Sequence, residues 1–288
     1  MNELLSAKNI SFFIGKRRIL SNVSFTIHPH DFVFLTGNNG SGKTTFLNAI
    51  ARYHPNAAAS FVDGKILYNG NKNHINYDIT TNKDSQWYLR EIYYLKQESK
   101  IQLSILSMFR HTMEPLSIEK NANPTLNKKS NEIEKITREY IQSFFEEHEF
   151  LTERFEEDRS RKPFQKKFLD QPMDCLSGGQ KKIVEILVAL MRAKSQNIKL
   201  LLIDEPFNHL DIKNIKKTVE LILEARKSNP DLAIIVTTHC MAFPTPCSGI
   251  NGNYIEPDFF KHYIVTEGTI RLANKKEIYK QGKCFIDI

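Results

Sequence analysis

Cysteines are few in this sequence, and long apolar runs are absent. The four cysteines among 288 residues form no C-x-x-C pair and have no histidine at zinc-finger spacing, so free thiols in a reducing compartment are expected. No stretch of about 18 apolar residues is present, so no transmembrane helix is predicted. The N-terminus lacks the basic and apolar regions of a signal peptide. Any role at a membrane would therefore come through a partner.

Strong basic clusters are also absent. Lysine and arginine exceed aspartate and glutamate by 40 to 33, which gives a net charge of +7 and a pI near 9.1. This excess fits either a solvated surface or an acidic partner such as nucleic acid or an anionic membrane face. The run Lys16, Arg17, Arg18 is shorter than the clusters of about 5–8 residues typical of nucleic-acid binding, so nucleic acid is not the expected partner.

A glycine-rich segment separates a predicted strand at residues 32–35 from a predicted helix at residues 46–51. It fits G-x-x-x-x-G-K-[ST], the phosphate-binding P-loop, in which glycines aim several backbone N–H groups at one anion and the helix start adds positive potential. We expect Lys43 to reach the β- and γ-phosphates of a nucleotide and the Thr44 hydroxyl to ligate Mg²⁺. The residues predicted to bind nucleotide here are Gly37, Asn38, Asn39, Gly40, Ser41, Gly42, Lys43, Thr44 and Thr45.

Polar residues follow three other predicted strands. The apolar run at residues 200–203 is typical of a strand buried on both faces of a parallel sheet. It ends at Asp204, which we expect to hold Mg²⁺, and at Glu205, which is placed to polarise an attacking water. Gln97 and His239 each follow a predicted strand, at the edge where active-site residues of parallel sheets collect. Taken alone, each of these two would be read as an ordinary polar residue at a strand end.

A second backbone cradle is predicted at Ser177, Gly178 and Gly179, directly before a helix at residues 181–192. N–H groups at a helix start attract anions, so this is a second anion site in a chain that already has one. Two such sites in one chain make sense if each completes the other's pocket across a dimer.

The order of these motifs resembles the nucleotide-binding domain of ABC ATPases, over about residues 4–272. The matching segments are residues 176–180 (the signature motif, at every position), Gln97 (the Q-loop), residues 200–204 (Walker B), Glu205 (the catalytic glutamate), residues 208–211 (the D-loop) and His239 (the H-loop).

The resemblance implies an α/β P-loop NTPase fold with a mainly parallel core sheet, an N-terminal antiparallel β subdomain and an inserted α-helical subdomain. It implies one ABC ATPase domain over residues 1–288, with the helical insertion at about 98–175 and an extra loop at about 244–257. ATP and Mg²⁺ are the implied cofactors. The implied site residues are Glu205, His239 and Gln97 for catalysis, Ser177, Gly178, Gly179, Gln180 and Asp211 for ATP besides the P-loop, and Thr44, Gln97 and Asp204 for Mg²⁺.

In the family, a head-to-tail dimer holds each ATP between the P-loop of one subunit and the signature motif of the other, and here the two subunits are either identical or different chains. The family usually has an aromatic residue, which stacks on adenine, where this chain has Ile14. Phe12 or Phe13 is the candidate substitute. The two insertions are longer than is usual for the family, and long loops are often where partner specificity resides.

Two functions follow from the resemblance. The first is an ATP-hydrolysing subunit on the cytoplasmic face of a membrane, which powers a separate permease; residues 101–113 lie where such subunits receive a permease helix. The second is a soluble ABC ATPase acting on a ribosome, nucleic acid or cofactor-assembly complex, since residues 208–211 resemble the soluble translation-factor branch. That branch carries two cassettes and this chain has one. Neither the substrate nor the direction of transport follows from the sequence.

Overall fold

The computed structural model describes residues 3–53, 60–70, 76–80, 86–97, 172–196, 198–239, 261–274 and 277. The chain divides into two compact units. The first unit comprises Met1–Gln97, Ile198–Pro206 and Leu223–Ile288, and the second comprises Glu98–Asn197 and Phe207–Ile222. The predicted helical insertion lies outside the described residues except at its end, where a 3-10 helix spans Met173–Cys175. The predicted loop at 244–257 also lies outside them.

An antiparallel sheet occupies the N-terminal part of the first unit. Its described strands are β1 (Leu5–Ile14), β2 (Arg17–Ile27), β4 (Ser60–Tyr68) and β5 (Tyr77–Asp78), in the order β2-β1-β4-β5. The N-terminal antiparallel subdomain is therefore confirmed. Residues 60–68 form one continuous strand along β1, and the pairing has a β-bulge in β1 between Lys8 and Ser11, where Gly64 of β4 lies against the Asn9 backbone.

The second sheet of the first unit is mainly parallel. Its described strands are β3 (Phe32–Thr36), β6 (Ile92–Leu95), β7 (Leu200–Ile203), β8 (Ala233–Thr238), β9 (Lys261–Thr266) and β10 (Thr269–Leu272), in the order β10-β9-β3-β8-β7-β6. Only β10 among them is antiparallel to its neighbour. Every residue of β3, β7 and β8 is buried, as their continuous apolar runs predict. The predicted fold class is confirmed.

Four helices lie within the described residues: α1 (Lys43–Ile50), α2 (Gln86–Glu91), α3 (Gly178–Ser195) and α4 (Ile212–Ser228). The helix predicted at 181–192 is confirmed as α3, which begins three residues earlier and ends three residues later. α2 was not predicted, because six residues are too few to show helical periodicity. It is held by Tyr88, whose buried hydroxyl donates to the Ile50 carbonyl at the end of α1.

One hydrophobic core joins both sheets of the first unit to α1. Phe25 of β2 packs edge-on against Phe46 of α1, with ring centroids 5.0 Å apart, and tilts against Tyr263 of β9 at 4.5 Å. The antiparallel sheet is thereby fixed beside the start of α1. Among the residues that the structure describes, no helix is long and apolar enough to cross a membrane.

Candidate ATP site

The P-loop connects β3 to α1 by a turn that requires glycine. Gly42 caps α1 with φ 110°, and a Cβ at this position would lie 2.8 Å from Leu20 Cδ2. Gly40 also has a positive φ, of 77°. Gly37 lies against the Val265 carbonyl of β9, so a side chain would collide with backbone there. The loop can curl around an anion only because these positions lack a Cβ.

Lys43 turns back into the loop that precedes it. Its Nζ donates to the carbonyls of Gly37 at 2.8 Å and Asn38 at 3.2 Å, and lies 3.3 Å from Glu205 Oε1. The side chains of Lys43 and Glu205 are only 5% and 6% exposed. A buried ammonium group without such partners would be strongly unfavourable. The protein's own oxygens therefore hold the cation beside the loop.

Asp204 is fully buried directly after β7 and is tied to β8. Thr237 Oγ1 donates to Asp204 Oδ1 at 2.6 Å and accepts the Glu205 N–H at 2.9 Å, so one hydroxyl fixes both acidic residues. Burial raises the pKa of Asp204, while hydrogen bonds from Thr237 and Thr44 oppose that rise. Two of the three predicted Mg²⁺ ligands, Thr44 and Asp204, are thus brought together.

Glu205 lies between two cationic or potentially cationic groups. Opposite its contact with Lys43, its Oε2 lies 2.8 Å from His239 Nδ1 and 3.3 Å from the His239 backbone nitrogen. Its backbone adopts φ 49°, a left-handed conformation that is unfavourable for glutamate and is characteristic of functional sites. His239 itself is half exposed. The side chain of Glu205 is therefore buried and held in one orientation, and on one side it contacts the half-exposed His239.

The predicted site also gains a tyrosine that the sequence analysis missed. Tyr94 of β6 places its hydroxyl 3.4 Å from Asp204 Oδ2. The pKa of Tyr94 is raised, mainly by burial and secondly by the negative charge of Asp204. Gln97 lies exposed two residues beyond β6, at the same carboxyl edge of the sheet. The signal for Tyr94 and Thr237 was their place within two residues of a strand end, in the two strands that flank β7. A single sequence does not reveal which strands are adjacent.

The second unit carries the signature segment, and its contacts are local. Ser177 caps α3 in a capping box: its Oγ accepts from the Gln180 backbone nitrogen at 3.3 Å, and its own N–H donates to Gln180 Oε1 at 2.9 Å. Gly178 is exposed, and the His209 ring lies beside it, 3.5 Å from where a Cβ would be. The side chain of Gln180 thus has a capping role in addition to its predicted role toward ATP.

The D-loop ends in a helix cap. Asp211 accepts the Asn214 backbone N–H at 2.8 Å through one carboxylate oxygen, and the Asn214 side-chain amide at 2.7 Å through the other. These bonds stabilise the start of α4. A contact of Asp211 with ATP remains a prediction.

Comparison with known proteins agrees with this geometry. The sequence profile of the ABC transporter family matches residues 20–208. The chain belongs to the ABC transporter family.

Named relatives include both import and export proteins. The Fe(3+) ions import ATP-binding protein FbpC of Haemophilus influenzae (strain 86-028NP) is 30% identical over 82% of this chain and 56% of its own length. The lipopolysaccharide export system ATP-binding protein LptB of Haemophilus influenzae is 28% identical over 82% of this chain and 80% of its own length. The chain spans about half the length of the two FbpC proteins that it matches.

Solved ATP-binding cassettes share the fold. A nucleotide-free cassette from an ABC transporter has a TM-score of 0.60 at 23% identity, covering 97% of this chain and 94% of its own. A dimeric cassette in a post-hydrolysis state, bound to ADP and phosphate, has a TM-score of 0.61 at 20% identity, covering 94% of this chain and 98% of its own.

The ABC cassette of this chain has the donor set that Mg-ATP needs. Ser41 Oγ is buried and has no hydrogen-bond partner among the described residues, so it is available to a phosphate oxygen. α1 starts without a side-chain cap, which leaves its first N–H groups for the same anion. Thr44 and Asp204 supply the oxygen ligands that Mg²⁺ prefers. The residues present therefore fit the nucleotide and the metal.

The expectation that Phe12 or Phe13 replaces the aromatic residue that stacks on adenine is corrected in part. Phe12 is 2% exposed and belongs to the hydrophobic core, so it is not available to a base. Ile14 lies on the same side of β1 as Phe12, because side chains two apart on a strand share a face, and it is 43% exposed. Phe13 points to the opposite face. No aromatic side chain of residues 12–14 is therefore both exposed and on the face of Ile14.

Proposed function

We propose that this chain is the ATP-binding and ATP-hydrolysing subunit of an ABC transporter. The observation that carries the proposal is the buried pair of Lys43 and Glu205, with the half-exposed His239 on Glu205 and with Asp204 and Thr237 beside them, at the carboxyl edge of the parallel sheet next to the P-loop. In an open parallel sheet this edge is where ligands bind. The names of relatives that import iron and export lipopolysaccharide support transport, and their opposite directions leave the cargo and direction to a partner.

The geometry suggests a separate role in ATP binding and hydrolysis for each of these side chains. Lys43 exchanges Glu205 Oε1 for the γ-phosphate of ATP, because a doubly charged phosphate is the stronger partner for an ammonium group. Oε1 then becomes free to accept a proton from a water molecule, as a general base. His239 keeps hold of Oε2, so the carboxylate retains its orientation. Thr44, Asp204 and Gln97 would hold Mg²⁺, which would supply positive charge to neutralise the phosphates.

The proposed working form is a head-to-tail dimer, with the same chain or a similar one. Lys43 and Glu205 are in the first unit, and Ser177, Gly178 and Gly179 are in the second. Each copy thus offers one P-loop and one signature cradle, and in the dimer each cradle would close the other copy's P-loop. The solved dimeric cassettes with this fold are consistent with such an assembly.

We further propose a separate permease as the membrane partner, which would place this chain at the cytoplasmic face. Fractionating cells that express tagged chain tests this. Recovery with membranes, and co-purification of a polytopic membrane protein after mild detergent, are expected. A Ser177→Arg variant, which should still bind ATP without pairing, is the matched control. Exclusive recovery with ribosomes or with nucleic acid, with normal ATP hydrolysis, would contradict the transporter role and favour a soluble ABC ATPase.

A further inference from the structure

A buried histidine of β9 lies against the residue that directly precedes the P-loop, and it is not among the site residues described above. His262 of β9 is 2% exposed, and its Nε2 lies 2.7 Å from Oγ1 of Thr36, which is fully buried. Thr36 is the last residue of β3, and the next residue, Gly37, begins the P-loop. The strand register pairs Phe34 with His262 and Thr36 with Ile264, so the hydrogen bond runs diagonally between parallel strands.

The hydrogen-bond directions can be deduced. Thr36 Oγ1 also lies 3.3 Å from the Tyr263 carbonyl, which can only accept. If Thr36 donates to that carbonyl, His262 Nε2–H donates to Thr36, and both bonds form. The remaining ring nitrogen, Nδ1, is buried and has no partner among the described residues. This tautomer leaves only a lone pair at Nδ1 unsatisfied, whereas the other would leave a buried N–H.

The hydrogen bond between Thr36 and His262 joins β3 to β9, and both strands contact the start of the P-loop at Gly37. Beyond His262 on β9, the Val265 carbonyl lies against Gly37, where a Cβ would collide. The Gly37 carbonyl in turn accepts from Lys43 Nζ at 2.8 Å. A continuous path of contacts therefore leads from His262 through Thr36 and Gly37 to the lysine that faces the nucleotide.

We propose that His262 is a positioning residue for ATP binding, which fixes the Gly37 carbonyl and Lys43 through its hydrogen bond to Thr36. Cutting this bond leaves the backbone pairing of β3 with β8 and β9 in place and frees the side chain of Thr36, the residue from which the loop departs. The consequence is weaker nucleotide binding with little loss of overall stability. The proposal rests on the proposed function insofar as Mg-ATP is the ligand measured.

The test compares variants that keep or remove each half of the bond. His262→Gln retains an N–H donor near the Nε2 position and Thr36→Ser retains the hydroxyl, whereas His262→Leu and Thr36→Val remove them. Affinity for Mg-ATP is measured by calorimetry at neutral pH, and the unfolding midpoint is measured in parallel. Tyr68→Phe is the control, because it removes a hydroxyl that donates to Glu91 at 2.9 Å in the core beside β4, away from the P-loop.

The expected result is a loss of affinity of about 10-fold in His262→Leu and in Thr36→Val, with the Gln and Ser variants within about 3-fold of wild type. The double variant should bind no more weakly than either single one, because both remove the same bond. Tyr68→Phe should lower the unfolding midpoint and leave affinity unchanged.

Wild-type affinity in a folded His262→Leu protein overturns the proposal, as does an equal loss of affinity in Tyr68→Phe. If His262→Leu does not fold, Thr36→Val, which keeps the shape of the side chain, decides by the same criteria. Lys43→Ala in the same series separates this proposal from the proposed function. ATP binding that vanishes in Lys43→Ala upholds the ATP site even where unaffected His262 variants overturn the positioning role.

Discussion

The P-loop and the signature segment both present backbone N–H groups at the start of a helix, but their polar side chains are held differently. Around the P-loop, the side chains of Lys43, Asp204 and Glu205 are buried and bonded to residues far away in sequence. In the signature segment, Ser177 and Gly178 are exposed, and Ser177 is bonded to a residue three positions away. α1 starts with no side-chain cap, whereas α3 starts with a complete capping box.

The difference indicates that the start of α1 depends on a bound anion, whereas the start of α3 does not. The start of α3 is stabilised by its own sequence and needs no anion to remain helical. The start of α1 leaves its N–H groups unsatisfied by side chains, and its lysine is occupied by protein oxygens that a phosphate can replace. Substitutions around the P-loop should therefore affect ATP binding directly, while those at Ser177 should weaken the start of α3 and prevent dimerisation but spare ATP binding at the P-loop.

Lys43→Ala should have the largest effect. It removes the cation facing the γ-phosphate and leaves Glu205 buried without its nearest positive partner. Breaking a buried pair from one side typically costs about 3–5 kcal/mol of folding stability. ATP affinity should fall by about 100-fold, because a hydrogen bond between charged groups, here the one from Lys43 to the γ-phosphate, is worth up to about 3 kcal/mol. Calorimetry measures this, with Lys199→Ala as the control, since Lys199 pairs with the exposed Asp231. Normal ATP affinity in Lys43→Ala would refute the P-loop assignment.

Glu205→Gln should separate binding from hydrolysis. Glutamine keeps the shape of the side chain but does not accept the proton of water, so the hydrolysis rate should fall by about 10²–10⁴-fold while ATP still binds. The ATP-bound dimer should then accumulate, as light scattering would show.

The matching variant in the signature segment is Ser177→Arg. A bulky side chain fills the exposed cradle, so this variant should bind ATP at the P-loop but fail to dimerise. Normal dimerisation and hydrolysis by Ser177→Arg would contradict the composite site. A monomeric Glu205→Gln protein at saturating Mg-ATP would show that a permease or a different chain is needed to hold the pair together.

The stability of the first unit should depend on pH through His262. Burial lowers the pKa of His262 from its ordinary value of 6.5 to about 4, so between these values the unfolded chain binds the extra proton and the folded chain does not. The contribution is fully present above about pH 6.5 and decreases as the pH falls toward 4, by up to about 3 kcal/mol. Denaturant unfolding of wild type and His262→Gln over this range measures it. Parallel pH profiles for the two proteins would contradict the prediction.

Thr237 tests whether the buried acidic pair is held from β8. Thr237→Val removes the donor to Asp204 and the acceptor for the Glu205 N–H without changing shape. The free energy of unfolding should decrease by about 1–3 kcal/mol, because two buried polar groups lose a partner, and ATP hydrolysis should fall about 10-fold. Thr237→Ser should restore both. Full activity in the valine variant would show that Asp204 and Glu205 are positioned without this hydroxyl.

The contact with the adenine base should give the smallest effect. Ile14 is exposed at the position where the family usually has its stacking aromatic residue. Stacking on adenine should therefore be weak and the preference for ATP over GTP small. Ile14→Tyr should tighten ATP binding by about 5- to 10-fold, since stacking on an aromatic is worth roughly 1–3 kcal/mol. Phe13→Ala should leave affinity unchanged. A loss of affinity in Phe13→Ala would show that the base is held from the other face.

Sequence patterns predicted local structure where a residue's conformation is set by its immediate neighbours. The P-loop glycines, the strand before them and the start of α3 are local features, and the structure has them where they were expected. Phe12 was misplaced as a base-stacking candidate, because exposure depends on which elements cover a strand and not on residue type. α2 was missed because six residues are too few to show helical periodicity, and its hydrogen bond from Tyr88 reaches Ile50, 38 positions away.

The sequence by itself determined the motif order, the parallel-sheet character of β3, β7 and β8, and the cap at Ser177. Each depends on a spacing of a few residues. Only the tertiary structure decided that Thr237 joins Asp204 to Glu205, and that His262 supports Thr36 from 226 residues away. These contacts exist because β8 and β9 flank β3 and because β7 lies beside β8. Strand order is fixed by how the whole core packs, which no short stretch of sequence encodes.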